Sequence, residues 1–189
     1  IPCFGILGNL ILSFSKLLNQ KAIHKPSAQH VLDDEYYRRI EAIQFTMRHD
    51  DGRKLDDIAQ ADIVLLGVSR TNKTPTSIYL ANRGYKTINI PLVLDQKIPD
   101  TLRSQENKTC VVGLVADPKR LADIRRNRVA IMNENNIKEY TDLSFITEEV
   151  DRSKQLFNKY KWPIIDVTRR SVEEIAASIL KIFEIKKNK

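Results

Sequence analysis

Residues 67–74, Gly67-Val68-Ser69-Arg70-Thr71-Asn72-Lys73-Thr74, carry the most chemistry per residue in this chain. They approximate the phosphate-binding pattern G-x-x-x-x-G-K-[ST], with Asn72 where the second glycine belongs. That position needs a backbone able to reach positive φ, and Asn is among the few non-glycine residues that tolerate it. In such a loop the amide N–H groups cradle phosphate oxygens at a helix N-terminus. Lys73 then neutralises the outer phosphates, and the Thr74 hydroxyl suits Mg²⁺. The competing reading is a surface turn that happens to contain Gly and Lys-Thr.

His49-Asp50-Asp51-Gly52 is a second constellation. Adjacent carboxylates beside a histidine suit metal binding or acceptance of a proton from a hydroxyl. Asp and Gly are also ordinary turn residues, so a solvated turn at a helix end competes. A third feature is the basic run Lys119, Arg120, Arg125, Arg126 and Arg128. On a helix starting near Pro118, Arg125 and Arg128 share a face fit to clamp phosphate or an acidic protein patch. The alternative there is a solvated face packed through Leu121 and Ile124.

These residues need elements to hold them. Residues 63–66, Ile-Val-Leu-Leu, are a continuous apolar run expected of a strand covered on both faces. A helix is predicted over about 75–83, with Gly84 as its stop. Further strands are predicted over 87–92, 109–115 and 163–167. Helices are predicted over 6–18, about 33–48, from Asp117-Pro118 onward, and over about 143–160. Ser171-Val172-Glu173-Glu174 reads as a capping box opening a last helix to about 183. Residues 24–27 read as a break after the first helix. Strands alternating with helices imply an α/β fold, a parallel sheet flanked by helices in the manner of P-loop kinases. The expected division is an N-terminal helix and linker over 1–32 and a catalytic domain over 33–189.

The bulk properties agree with a globular chain. Hydrophobic residues make up 42% and charged residues 29% of its 189 residues, which excludes disorder. The net charge of +7, from 31 Lys+Arg against 24 Asp+Glu, favours an anionic partner. Lys186, Lys187 and Lys189 are expected at a frayed end. Cys3 and Cys110 show no metal spacing and suggest a reducing, cytoplasmic compartment. His24 and His30 read as surface residues, and Trp162 as a packing residue. Residues 1–14 are too short to span a bilayer. Because the chain begins with Ile, it reads as the remainder of something longer.

Residues 67–84, ending Pro75-Thr76-Ser77-Ile78-Tyr79-Leu80-Ala81-Asn82-Arg83-Gly84, closely resemble the signature of the pyruvate, phosphate dikinase regulatory proteins. The related regulators of phosphoenolpyruvate synthase share it in looser form. Three more stretches agree: residues 37–43 running into His49-Asp50-Asp51-Gly52, residues 113–128 with Asp117-Pro118-Lys119-Arg120-Leu121, and residues 171–176. The resemblance covers nearly the whole chain. It implies a bifunctional enzyme that uses ADP to phosphorylate a threonine of the dikinase, and removes that phosphate with inorganic phosphate, releasing pyrophosphate.

By the same resemblance, Gly67, Val68, Ser69, Arg70, Thr71, Asn72, Lys73 and Thr74 would bind ADP, with Mg²⁺ on Thr74. Lys73, His49, Asp50 and Asp51 would be the catalytic set, and Arg120, Arg125 and Arg128 the phosphate or substrate contacts. The partner would be the dikinase or the synthase, with no nucleic acid and no membrane involved, and a homodimer is the assembly the family suggests. Two departures stand out. The family's N-terminal domain is missing ahead of Ile1, which raises an inactive remnant as an alternative, and Asn72 replaces the family's usual Ser or Gly. A P-loop kinase for a small molecule and a non-catalytic binding protein docking through the basic helix are the competing functions.

Overall fold

A computed structural model describes residues 7–22, 33–53, 55–93, 99, 102, 109–132 and 138–188. The chain divides into two compact units, residues 1–33 and 34–189. In the first, helix α1 (Gly8–Leu18) buries no side chain; Leu10, Phe14, Leu17 and Leu18 are all exposed. Asn19 ends it in the left-handed conformation. The break expected at residues 24–27, and Cys3, His24 and His30, lie outside the described residues.

The second unit is built on four parallel strands. They are β1 (Ile63–Gly67), β2 (Thr87–Pro91), β3 (Cys110–Val115) and β4 (Ile164–Asp166), in the spatial order β2-β1-β3-β4. All pairings are parallel, with Ile63 opposite Thr87 on one side and Cys110 on the other. The helices are α2 (Asp34–Arg48), α3 (Lys73–Ala81), α4 (Pro118–Met132), α5 (Lys138–Thr141), α6 (Leu143–Lys159) and α7 (Val172–Lys187). The fold is therefore α/β, a parallel sheet flanked by helices.

The apolar run that predicted β1 is buried throughout, and the period-two alternation of a strand divides it between two cores. Ile63 and Leu65 join Val112, Leu114, Leu121, Ile146, Val150 and Ile175. Val64 and Leu66 join Phe45, Ile58, Ile88, Ile90 and Phe157 on the opposite face. Gly113 lets the sheet receive Phe157: a Cβ there would lie 2.4 Å from the ring. Trp162 packs on this second core and stacks on Tyr160 with ring centroids 4.9 Å apart.

Several boundaries differ from expectation for local physical reasons. Helix α3 starts at Lys73 rather than near residue 75, because proline is tolerated in a first turn, where its missing N–H costs nothing. Helix α7 runs to Lys187 instead of ending near 183, and Lys186 is not frayed: its Nζ donates to the Thr109 carbonyl at 2.6 Å. The capping box at its start is complete, with Ser171 N donating to Glu174 Oε2 and Glu174 N to Ser171 Oγ. Two 3₁₀ turns, Asp50–Gly52 and Leu55–Gln60, had no periodic signal in the sequence.

Candidate functional site

Strands β1 and β3 leave the sheet's centre side by side, and the chain passes to opposite sides of β1 to form β2 and β3. That reversal opens a crevice at the carboxyl ends of the strands. Residues 67–74 form its floor. Gly67 is required by close approach: a Cβ would lie 2.6 Å from the Leu114 carbonyl oxygen and 2.7 Å from Thr71 Oγ1. The loop then turns through two left-handed residues, Arg70 (φ 72°) and Asn72 (φ 56°). Asn72 thus adopts the conformation that a glycine would supply at this position.

The Val68 carbonyl organises the loop from within. It accepts hydrogen bonds from Thr71 Oγ1 and from Lys73 Nζ, each at 2.9 Å. Thr71 is fully buried and Lys73 nearly so. Burial pushes the Lys73 ammonium down to about 8; Asp51 opposes that shift and Arg125 adds to it. The ammonium is held by a carbonyl dipole and not by a carboxylate, so it remains the local cation for an incoming anion.

The crevice holds a cavity of about 760 Å³. Ser69, Arg70, Asn72, Lys73 and Thr74 of the loop line it, with Asp51 and Arg128 supplying further charge. Pro91, Val93, Ile124 and Val129 give it an apolar side, and Tyr140 closes the wall. Three cations and one carboxylate beside an apolar wall suit an anionic ligand that also carries an apolar part.

The second constellation meets the loop through Asp50 and Asp51. Thr74 Oγ1 donates to Asp50 Oδ1 at 3.1 Å. Asn89 Nδ2 donates to the same oxygen, and Asp51 N donates to Asn89 Oδ1 at 3.1 Å. Asp51 (φ 55°) and Gly52 (φ 74°) both sit in the left-handed region, which turns the two carboxylates toward the loop. Asp50 and Asp51 are thereby brought to Thr74 and Lys73.

His49 is placed differently. It is 2% exposed and is not among the residues lining the cavity. Its Nδ1–H donates to the Phe45 carbonyl at 2.6 Å, Nε2 faces Asp57 Oδ2 at 3.3 Å, and the ring stacks on Phe45 at 4.1 Å. It anchors the end of α2 and so aims the two aspartates.

The three arginines of α4 also separate. Arg128 lines the cavity, whereas Arg125, 1% exposed, lies behind the loop. Arg125 donates to the Ser69 carbonyl and the Tyr140 carbonyl, both at 3.3 Å, and pairs with Glu149 at 2.8 Å. Arg120 faces a different recess, with Arg169 and Arg170. Asn89, Tyr140 and Glu149 escaped the sequence reading. A signal existed for Asn89, a polar residue inside the apolar run 87–92; nothing local marked the other two.

Oxygen donors suited to Mg²⁺ sit at one end of the loop. The Thr74 hydroxyl, the Asp50 carboxylate hydrogen-bonded to it, and Asp51 in the cavity are hard ligands of the kind that hold this ion together with phosphate oxygens.

Residues 1–180 match the kinase/pyrophosphorylase family. The chain belongs to that family. Among curated relatives, a protein of Pelagibacter ubique is 63% identical over 188 residues, covering 100% of this chain and 69% of the relative. A protein of Maricaulis maris is 48% identical over 188 residues, covering 100% of this chain and 67% of the relative. One of Chelativorans sp. is 48% identical over 180 residues, covering 95% and 66%. Each is named "Putative pyruvate, phosphate dikinase regulatory protein". This kinase/pyrophosphorylase chain thus spans about two thirds of the length of the relatives it matches. Among the described residues no helix is long and apolar enough to cross a membrane.

Proposed function

We propose that this chain is the catalytic part of a bifunctional regulator of pyruvate, phosphate dikinase. It transfers a phosphoryl group from ADP to a threonine of that enzyme and removes the group with inorganic phosphate. The observation that carries the reading is the contact of Thr74 with Asp50 beside a buried, carbonyl-held Lys73. This places a cation, a hydroxyl and a carboxylate at the mouth of one amide-rich loop.

The loop amides and Lys73 hold the diphosphate, with Arg70 and Arg128 across the cavity. The adenine lies on the side formed by Ile124 and Val129. In the forward reaction the threonine Oγ attacks the β-phosphorus of ADP in line. The bond from that phosphorus to the bridging oxygen breaks, AMP leaves, and the hydroxyl proton passes to Asp50 or Asp51. In the second reaction an oxygen of inorganic phosphate attacks the phosphothreonine phosphorus. The bond from that phosphorus to the threonine oxygen breaks, the proton of the attacking phosphate passes through Asp50 or Asp51 to the threonine oxygen, and pyrophosphate and the free threonine are released. Mg²⁺ held by Thr74 and Asp50 supplies charge neutralisation on the phosphate oxygens when bound.

The names carried by the relatives favour the dikinase over the synthase as target. Cytoplasmic location and the ADP preference follow from the same reading. The test is incubation of the chain with dikinase, ADP and Mg²⁺, followed by mass spectrometry for phosphothreonine. Its appearance with ADP, together with phosphate-dependent release of pyrophosphate, is the expected result. Phosphorylation of a small metabolite without any dikinase would point instead to a small-molecule kinase.

A further inference from the structure

Two neutral hydroxyls meet at the wall of the cavity. Ser69 Oγ and Tyr140 Oη lie 3.1 Å apart, and both residues line the cavity that the loop floors. Each residue is half-buried. A hydroxyl carries one proton to donate and two lone pairs to accept. Whichever oxygen donates, their mutual bond spends one of the pair's two protons. Among the described residues neither oxygen has another hydrogen-bond partner, so the second proton is left for a ligand.

Arg125 sets both ends of this pair. Its guanidinium donates to the Ser69 carbonyl and to the Tyr140 carbonyl, each at 3.3 Å, and lies 4.7 Å from the centre of the Tyr140 ring. Arg125 is itself buried and paired with Glu149. One fixed cation thus holds two backbone segments and a ring, and brings together hydroxyls 71 residues apart in sequence. Donors fixed in advance need little reorganisation when an anion arrives.

The position of the pair selects the acceptor. Ser69 opens the loop, whereas Lys73 and Thr74 close it, at the end that meets Asp50. Helix α5, which carries Tyr140, packs on α4, which carries Ile124 and Val129. That is the side given above to adenine. A nucleotide running from that side toward Lys73 brings its first phosphoryl group to the hydroxyl pair and its second to the ammonium. Phosphoryl oxygens are charged acceptors, for which hydrogen bonds are strongest.

We infer that Ser69 and Tyr140 act together as one hydrogen-bond donor to the α-phosphoryl group of the bound nucleotide. The inference rests on the proposed function in taking a nucleoside diphosphate as the ligand. It gives Tyr140 a part in nucleotide binding, separate from the charge supplied by Lys73.

S69A, Y140F and S69A/Y140F test it, with ADP and AMP titrated calorimetrically into each full chain. Either hydroxyl alone keeps a proton for the phosphate, so each single variant is expected to bind both nucleotides within about twofold of the wild type. The double variant keeps the aromatic ring but has no donor. It is expected to bind ADP and AMP each about tenfold more weakly. The ratio of the two affinities and the melting temperature stay as in the wild type. A full loss in either single variant overturns the shared donor, and a loss confined to ADP overturns the assignment to the α-phosphoryl group. Wild-type ADP binding with an unchanged double variant sinks this inference alone. If the wild-type chain binds neither nucleotide, the functional reading fails and the inference falls with it.

Discussion

The Arg125 guanidinium grips the Ser69 carbonyl at 3.3 Å while it pairs with Glu149 at 2.8 Å, so an ion pair between α4 and α6, buried on its arginine side, sets the direction of a loop carbonyl. The Tyr140 hydroxyl holds the same residue from the other side, 3.1 Å from Ser69 Oγ. With the carbonyl of Ser69 drawn back toward Arg125, that dipole is kept from competing with a bound anion.

Breaking this pair from one side is expected to harm both stability and the loop. In E149Q, Arg125 keeps its two carbonyl acceptors but loses its counter-ion, a change that costs less than the ~3–5 kcal/mol of a wholly buried pair because Glu149 is partly exposed. Thermal unfolding and an ADP titration check it: a lower melting temperature and weaker ADP binding are expected together. A melting temperature equal to that of the wild type would show that Glu149 does not hold Arg125.

Lys73 carries opposite expectations for activity and stability. Its folded-state value of about 8 lies below the ordinary 10.5. Between those values the unfolded chain binds the proton that the folded chain has released, so stability rises with pH from about 8 to about 10.5. The burial penalty at neutral pH is roughly 3 kcal/mol, offset in part by the bond to Val68. K73M is therefore expected to lose both phosphoryl transfers while melting at or above the wild-type temperature near pH 7. Denaturant melts of both proteins at pH 7, 8, 9 and 10 would show a rise specific to the wild type.

Asn89 is 1% exposed and bridges Asp50 to the backbone of Asp51. N89A leaves the Asp51 amide without its partner and the Asp50 carboxylate with Thr74 alone, a loss of about 1–3 kcal/mol. The kinase rate is expected to fall at least tenfold with little change in ADP affinity, since the aspartates and not the amide cradle lose their support. Steady-state kinetics alongside ADP binding would separate the two effects.

Position 72 tests the loop conformation alone. N72G preserves the left-handed turn at φ 56° and should bind ADP as the wild type does. N72V places a β-branched residue where φ is positive, a genuine outlier. Weaker ADP binding by N72V but not N72G is expected in a direct titration.

What the sequence revealed depended on whether the signal was local. The apolar run at 63–66, the turn chemistry of Asn72 and the Ser171–Glu174 capping box each act over a few residues, and the strand, the left-handed φ and the reciprocal cap all stand where the pattern puts them. Long-range packing decided the rest. Arg125 and Arg128 are three apart on one helix, yet α6 brings Glu149 to one and leaves the other at the cavity. His49 looked equivalent to its neighbours Asp50 and Asp51 in sequence. The stacking on Phe45 and the approach of Asp57 turn it inward. Tyr140 reaches Ser69 from a short helix 71 residues away, with no pattern to announce it.

The most direct test of the proposed diphosphate site is calorimetric titration of ADP and AMP into wild-type chain and K73M at pH 8 with Mg²⁺, repeated in buffers of different ionisation enthalpy. Tighter binding of ADP than of AMP is expected, with uptake of up to about half a proton per site as a Lys73 near half-titration is recharged by the phosphates. K73M should lose both the preference and the proton. Equal affinity for the two nucleotides, or an unchanged preference in K73M, would contradict the assignment of this loop as the diphosphate site.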